Sequence, residues 1–136
     1  MSFVSAIPAA ASPDAAAHFA RRLSLETDCA DVGASMKAGE KDFVLLHVVG
    51  TPQAYARRHV PGALHLRHAE ITAERMAKWP ADTLFVVYCA GPHCNGATRA
   101  AIRLARLGRP VKLMIGGITG WIDEGFALES AEAIAA

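Results

Sequence analysis

The sequence predicts an α/β domain of three layers, with a central, mainly parallel sheet and helices on both of its faces. Three observations carry this. Residues 43–49 and 83–88 are nearly uninterrupted apolar runs rich in β-branched residues, the pattern of strands covered on both sides. Around them lie segments with helical periodicity, residues 15–25, 29–37, 70–79 and 97–107. Each change of element is punctuated by a glycine or proline, among them Gly39, Gly50, Pro52, Pro61, Pro80 and Gly108. Strands alternating with helices at such short intervals indicate a mainly parallel sheet.

Taken in order, residues 1–12 are rich in Ala, Ser and Pro and predict a mobile start. Pro13-Asp14 opens a helix over 15–25, with Ala16, Phe19 and Leu23 on one stripe. Residues 1–27 are thus expected to be a flexible segment with an added helix, and residues 28–130 the main domain. Asp28 suits the N-cap of a helix over 29–37, with Asp31 in its first turn and Gly39 beyond its end. Cys29, at that start, reads as a small structural residue. The strand over 43–49 ends at Gly50-Thr51-Pro52, followed by a short helix over 53–58. The turn His59-Val60-Pro61-Gly62-Ala63 leads into a short strand over 64–66. A helix over 70–79 is closed by Pro80, and the strand over 83–88 follows. The helix over 97–107 turns Ala97, Ala101 and Leu104 to the sheet and Arg99, Arg103 and Arg106 to solvent. A strand over 111–115 and a helical stretch from Gly116-Gly117 through Trp121 complete the domain.

Composition narrows the function. The 136 residues suffice for one domain with its own core. Fourteen basic against thirteen acidic residues leave a net charge of +1, no field for nucleic acid or an acidic membrane surface. No apolar stretch approaches the roughly 20 residues that span a bilayer. The first 17 residues lack the basic start and continuous apolar centre of a signal peptide, so a cytoplasmic location is expected. The three cysteines, Cys29, Cys89 and Cys94, then read as free thiols in a reducing compartment. With no Cys-x₂-Cys or His-x₃-His pair, no structural zinc site is expected.

The chemistry concentrates in residues 86–97, where an apolar strand stops at Cys89, passes through a loop of small residues and enters a helix. Sites in parallel sheets lie beyond the carboxyl ends of the strands. There, unpaired N–H groups and the positive end of a helix favour thiolate over thiol, which predicts Cys89 as a nucleophile. Ala90, Gly91, Pro92, His93, Cys94, Asn95, Gly96 and Ala97 form the expected anion cradle, with Gly91 and Gly96 free to aim backbone donors inward. His93 is the ionisable group of the loop and reads either as a pH-dependent positive charge or as a solvated tip.

Four motifs in sequence, within residues 28–127, resemble the rhodanese family of single-domain sulfurtransferases. The strand over 44–49 is similar to the family's first long strand, and Tyr55-Ala-Arg-Arg-His59-Val-Pro-Gly-Ala63 to its Tyr-x-x-x-His-Ile-Pro-Gly-Ala motif. Val87-Tyr88-Cys89 resembles the strand end that carries the nucleophile, and Gly116-Gly117-Ile118-Thr119-Gly120-Trp121 the closing Gly-Gly-x-x-x-Trp. The resemblance implies transfer of a sulfane sulfur without metal or organic cofactor. Cys89 would take sulfur from a small anionic donor such as thiosulfate, become a persulfide, and pass it to cyanide, a thiol or a protein sulfur carrier.

The chain departs from the family at several points. The fifth position after Cys89, basic in the usual loop, is Cys94, and the distance from Cys89 to Gly108 is two residues longer than usual. Counting from Cys94 puts Arg99 at the basic position, but that cysteine does not end a strand. Cys94 reads either as a resolving thiol, pairing with Cys89 or receiving its sulfur, or as an inert loop residue. The first strand ends in His47-Val48-Val49 in place of Asp-Val-Arg; His47 reads as a hydrogen-bonded buried residue and His59 as a turn anchor. Two alternatives remain. One is an interaction or redox-sensing module without turnover. The other is phosphatase or arsenate reductase-like activity, which requires arginine six residues after the cysteine, where Asn95 follows Cys89 and Ala100 follows Cys94.

Overall fold

The computed structural model describes residues 1–130. In chain order its elements are α1 (Ser12–Leu25), β1 (Glu26–Asp28), α2 (Cys29–Lys37), β2 (Val44–His47), α3 (Pro52–Arg57), β3 (Leu64–His65), a 3₁₀ turn (His68–Glu70), α4 (Ala73–Met76), β4 (Phe85–Tyr88), α5 (Gly96–Arg106), β5 (Val111–Ile115) and α6 (Gly117–Asp123). The five strands make one sheet in the order β1-β5-β4-β2-β3, and every pairing is parallel. All strand carboxyl ends therefore share one edge. β4 lies at the centre, aligned with β2 from Val44↔Phe85 to His47↔Tyr88, and every one of its residues is buried.

Because side chains alternate along a strand, this sheet builds two cores. On one face Leu46, Phe85 and Val87 pack with Met76 of α4 and with Ala97, Ala100 and Leu104 of α5. On the other, Leu45, Val86, Tyr88 and Met114 pack with Val32 of α2 and with Ile118 and Trp121 of α6. This is the expected three-layer architecture. The exposed face of α5 carries Arg99, Arg103 and Arg106.

Local chemistry sets the ends of the elements. The Asp28 carboxylate accepts the Asp31 N–H at 2.8 Å and starts α2, and the Thr51 hydroxyl accepts the Ala54 N–H at 3.1 Å and starts α3. The Tyr55–Ala63 stretch closes on itself: the Tyr55 hydroxyl donates to the Ala63 carbonyl. His59 places Nδ1 2.7 Å from the Tyr55 carbonyl and Nε2 3.1 Å from Glu129 Oε2, as a turn anchor does. His47 is buried with Nδ1 2.8 Å from the Tyr88 hydroxyl, which also accepts the Val60 N–H at 3.1 Å. Burial, reinforced by His65 and His59 nearby, lowers the His47 pKa to about 4, so its imidazole is neutral at physiological pH.

Three elements differ from the sequence expectation. The helix expected over 70–79 is a 3₁₀ turn followed by the four-residue α4. Thr72 caps the later start through the Arg75 N–H at 3.2 Å, and Arg109 ties down the carbonyls of Met76, Trp79 and Pro80 at 2.7–2.9 Å. β1 has no apolar pattern to announce it; Glu-Thr-Asp forms a strand by pairing along β5, Glu26↔Leu113 to Asp28↔Ile115. The sheet therefore begins at Glu26, before the expected boundary at residue 28. α1 starts earlier, at Ser12, and buries none of its residues, so its stripe does not join the core: Phe19 is 58% and Leu23 74% exposed. Among the described residues, no helix is long and apolar enough to cross a membrane.

The Tyr88 hydroxyl links β2, β4 and the 59–63 turn. Replacing Tyr88 by Phe leaves the buried Val60 N–H without this acceptor, and the expected loss is about 1–3 kcal/mol in urea unfolding. An unchanged midpoint would show that the network does not stabilise the fold.

Candidate active site

Cys89 follows the last residue of β4 and is 4% exposed. Its position is set from behind by α6. The N–H of Ile118 donates to the Cys89 carbonyl and that of Thr119 to the Ala90 carbonyl, both at 3.0 Å, and the Thr119 hydroxyl adds a bond to Ala90 at 3.2 Å. So close an approach requires glycine at 117. With φ +56°, a Cβ there would lie 2.2 Å from the Cys89 carbonyl oxygen.

The loop then doubles back. Gly91 accepts the Cys94 N–H at 3.1 Å across Pro92 and His93, a four-residue turn with proline at its favoured second position. The turn returns Cys94 to Cys89: the Cys89 thiol donates to the Cys94 carbonyl oxygen at 3.3 Å. The Gly96 N–H, in the first turn of α5, donates to the Cys94 sulfur at 3.4 Å. Here again glycine is required, since a Cβ on residue 96 would sit 2.3 Å from Val49 and 3.4 Å from the Cys94 sulfur.

Burial raises the Cys89 pKa above the ordinary thiol range, although backbone donors at Ala97 and Gly91 oppose it; contact with Cys94 adds to the rise. This corrects the expectation that the loop favours thiolate at Cys89, because desolvation of a buried charge outweighs two backbone donors. At Cys94 burial also opposes the charge, but hydrogen bonds from Gly96, the Cys89 thiol and the Ala90 backbone together outweigh it and bring its pKa below the ordinary range. Cys94 is thus the more acidic thiol. Cys29 is buried, with its thiol 3.5 Å from the Ile115 carbonyl and 3.6 Å from that of Gly117. Burial and the charges of Asp28 and Glu124 push its pKa up to about 11, as suits a structural thiol.

A cavity of about 670 Å³ opens over the two loop cysteines. Cys89, Gly91, Pro92, Cys94 and Ala97 line it. Of the other expected cradle residues, His93 is exposed at the tip of the turn and outside the lining, so it brings no charge to the cavity. Asn95 is also exposed, its side chain accepting from Arg99 Nε at 3.1 Å, while Ala90 and Gly96 act through their backbones. Sequence reasoning missed Thr98 and the acidic part of the lining, Asp28, Asp123 and Glu124. Recognising β1 as a strand parallel to β5 would have placed Asp28 on the cysteine edge. No lysine or arginine occurs among the described residues of the lining. Also among the described residues, no group of three or more His, Cys, Asp or Glu is placed to hold a metal ion.

Comparison with known proteins gives a consistent picture. The profile of the rhodanese-like domain family matches residues 31–124. A solved protein of Bacillus halodurans is 34% identical, with a TM-score of 0.83, over 89% of this chain and 88% of its own. A thiosulfate sulfurtransferase of Pseudomonas aeruginosa is 27% identical, with a TM-score of 0.63, over 82% of this chain and 21% of its own. An HTH-type transcriptional regulator of Mycobacterium tuberculosis is 38% identical over 96 residues, 65% of this chain; the match spans only 40% of the regulator's length.

The acidity order is open to direct measurement. At neutral pH iodoacetamide should label Cys94 first, with Cys89 following only as the pH is raised and Cys29 last, read by peptide mapping of short exposures. Labelling of Cys89 ahead of Cys94 would reverse the order.

Proposed function

This chain belongs to the rhodanese-like domain family, and from that premise we propose that it is a sulfurtransferase that moves a sulfane sulfur through a persulfide on Cys89. The observation that carries this reading is the placement of Cys89 just beyond the carboxyl end of the central strand β4, on the cavity lining, under a loop whose first carbonyls are fixed by the Ile118 and Thr119 N–H groups. The Cys89 thiolate attacks the outer sulfur of a donor such as thiosulfate, the S–S bond of the donor breaks, and sulfite leaves. The new persulfide is an anion held by the backbone N–H groups of the loop. A thiolate or cyanide then attacks the outer sulfur and restores Cys89, so one difficult transfer becomes two easier ones. Cys94, the more acidic of the pair, lines the same cavity as Cys89. The reaction belongs in a reducing, cytoplasmic setting, where both thiols stay free, and a protein sulfur carrier is a further possible acceptor.

The match to a transcriptional regulator favours a second reading, in which the domain is loaded once and signals its sulfur state without turnover. The two readings part on kinetics: many equivalents of thiocyanate formed from cyanide per chain support the enzyme, and a single equivalent supports the sensor.

Intact mass after incubation with thiosulfate tests the nucleophile. Sulfur added to the wild type should be lost in Cys89→Ser, and a sulfur adduct that survives that substitution would overturn the assignment.

The acidic wall also has a measurable effect. Asp28→Asn keeps the N-cap, because Asn caps as well as Asp, and Glu124→Gln keeps the side chain's shape. The pair should lower KM for dianionic thiosulfate about threefold with little change in kcat, the scale of screened charges several ångströms apart. An unchanged KM would mean that these carboxylates do not sense the donor.

A further inference from the structure

We infer that Cys94 is a second catalytic thiol, which resolves the Cys89 persulfide by closing a Cys89–Cys94 disulfide and releasing hydrosulfide. This inference rests on the reading of Cys89 as the persulfide-forming residue and adds an outcome that the proposed transfer does not contain.

Three independent features of the loop point the same way. The Gly91–Cys94 turn folds the chain back so that the Cys89 thiol comes within 3.3 Å of the Cys94 carbonyl oxygen, and both cysteines are free. Cys94 is placed by its own donor, the Gly96 N–H at 3.4 Å from its sulfur. Its exposure also suits the role. Cys89 is almost fully buried, whereas Cys94 is half-buried on the lining of the same cavity, between that buried sulfur and solvent-borne reagents. At this position, where the usual family loop has a fixed cation, the chain carries a group that can form a bond.

The chemistry balances without an added reagent. Once Cys89 carries a sulfane sulfur, the atom that Cys94 faces is the Cys89 Sγ, now the inner sulfur of the persulfide. The Cys94 thiolate attacks that atom, the Cys89 Sγ–Cys94 Sγ bond forms, and the bond to the outer sulfur breaks. The outer sulfur leaves with the electron pair and takes up a proton as hydrosulfide. Two thiols have been oxidised to one disulfide, and one sulfane sulfur has been reduced to sulfide. A dithiol must then reopen the disulfide, one per hydrosulfide released. The domain therefore sits between a reaction that generates sulfane sulfur and a dithiol reductant.

A single-turnover experiment without reductant tests this. Fully reduced wild type and Cys94→Ser are incubated with thiosulfate, and separately with glutathione persulfide, and followed by intact mass, disulfide mapping and released hydrosulfide; circular dichroism checks that the variant is folded, with Cys94→Ala as a second variant. The expected result is a wild type that loses two hydrogens, maps as Cys89–Cys94 and releases one hydrosulfide per chain above a protein-free control, while both variants retain the added sulfur on Cys89. A wild type that holds its added sulfur as stably as Cys94→Ser, with no disulfide and no excess hydrosulfide, would overturn the inference and leave the sulfurtransferase reading standing. Absence of sulfur uptake and of hydrosulfide in every protein with both donors would overturn both.

Discussion

Two hydrogen bonds organise the site: those from the Ile118 and Thr119 N–H groups to the carbonyls of Cys89 and Ala90. With these carbonyls engaged by α6, the peptide units after Cys89 are fixed in orientation, and the donors at Gly91 and Ala97 can face the sulfur. The arrangement depends on contact so close that only glycine fits at 117. The Gly-Gly-x-x-x-Trp motif thus places α6 against the loop while Trp121 anchors the same helix in the core, its indole N–H bonded to the Ala127 carbonyl at 3.0 Å. Catalytic geometry and packing are held by one short helix.

The electrostatic balance at Cys89 follows from where that helix and α5 enclose it. Burying a charge is opposed by desolvation on the scale of up to about 3–5 pKa units, and partial burial by a fraction of that. Two backbone donors recover only part of the cost, so the resting residue is a thiol. Cys94, less buried and with its own donors, bears the negative charge more readily. In the proposed reaction the pair would divide two requirements that one cysteine meets poorly: a protected sulfur that holds cargo, and an accessible sulfur that ionises.

How legible this was from residues alone varied with the locality of the physics. β5 occupies the expected 111–115 and α2 the expected 29–37, because alternation of apolar runs, an Asp cap and a terminal Gly are encoded within each segment. The cysteine at the end of β4 is equally local. β1 is invisible because it exists only through its pairing with β5, and α4 is short because Arg109, far along the chain, secures the carbonyls that follow it. The acidic wall and the acidity order of the thiols were hidden for the same reason. Both depend on what tertiary packing brings near the cavity, Asp28 from β1, Asp123 and Glu124 from the end of α6, and burial at Cys89, and none of these is written in the loop.

The absence of a basic side chain from the described cavity lining bears on what the loop does with sulfur once loaded. A fixed cation would hold a persulfide anion at full charge, whereas backbone N–H groups offer partial charges, and the carboxylates of the lining subtract from them. Such a cradle binds an anionic intermediate less firmly. A persulfide held less firmly is also more reactive toward a nearby nucleophile, and Cys94 lines the same cavity with its carbonyl oxygen 3.3 Å from the Cys89 sulfur. In the proposed reaction, a thiol in place of a cation at this position would change the loop in two ways at once: it would weaken storage of the sulfur and supply a route for its exit.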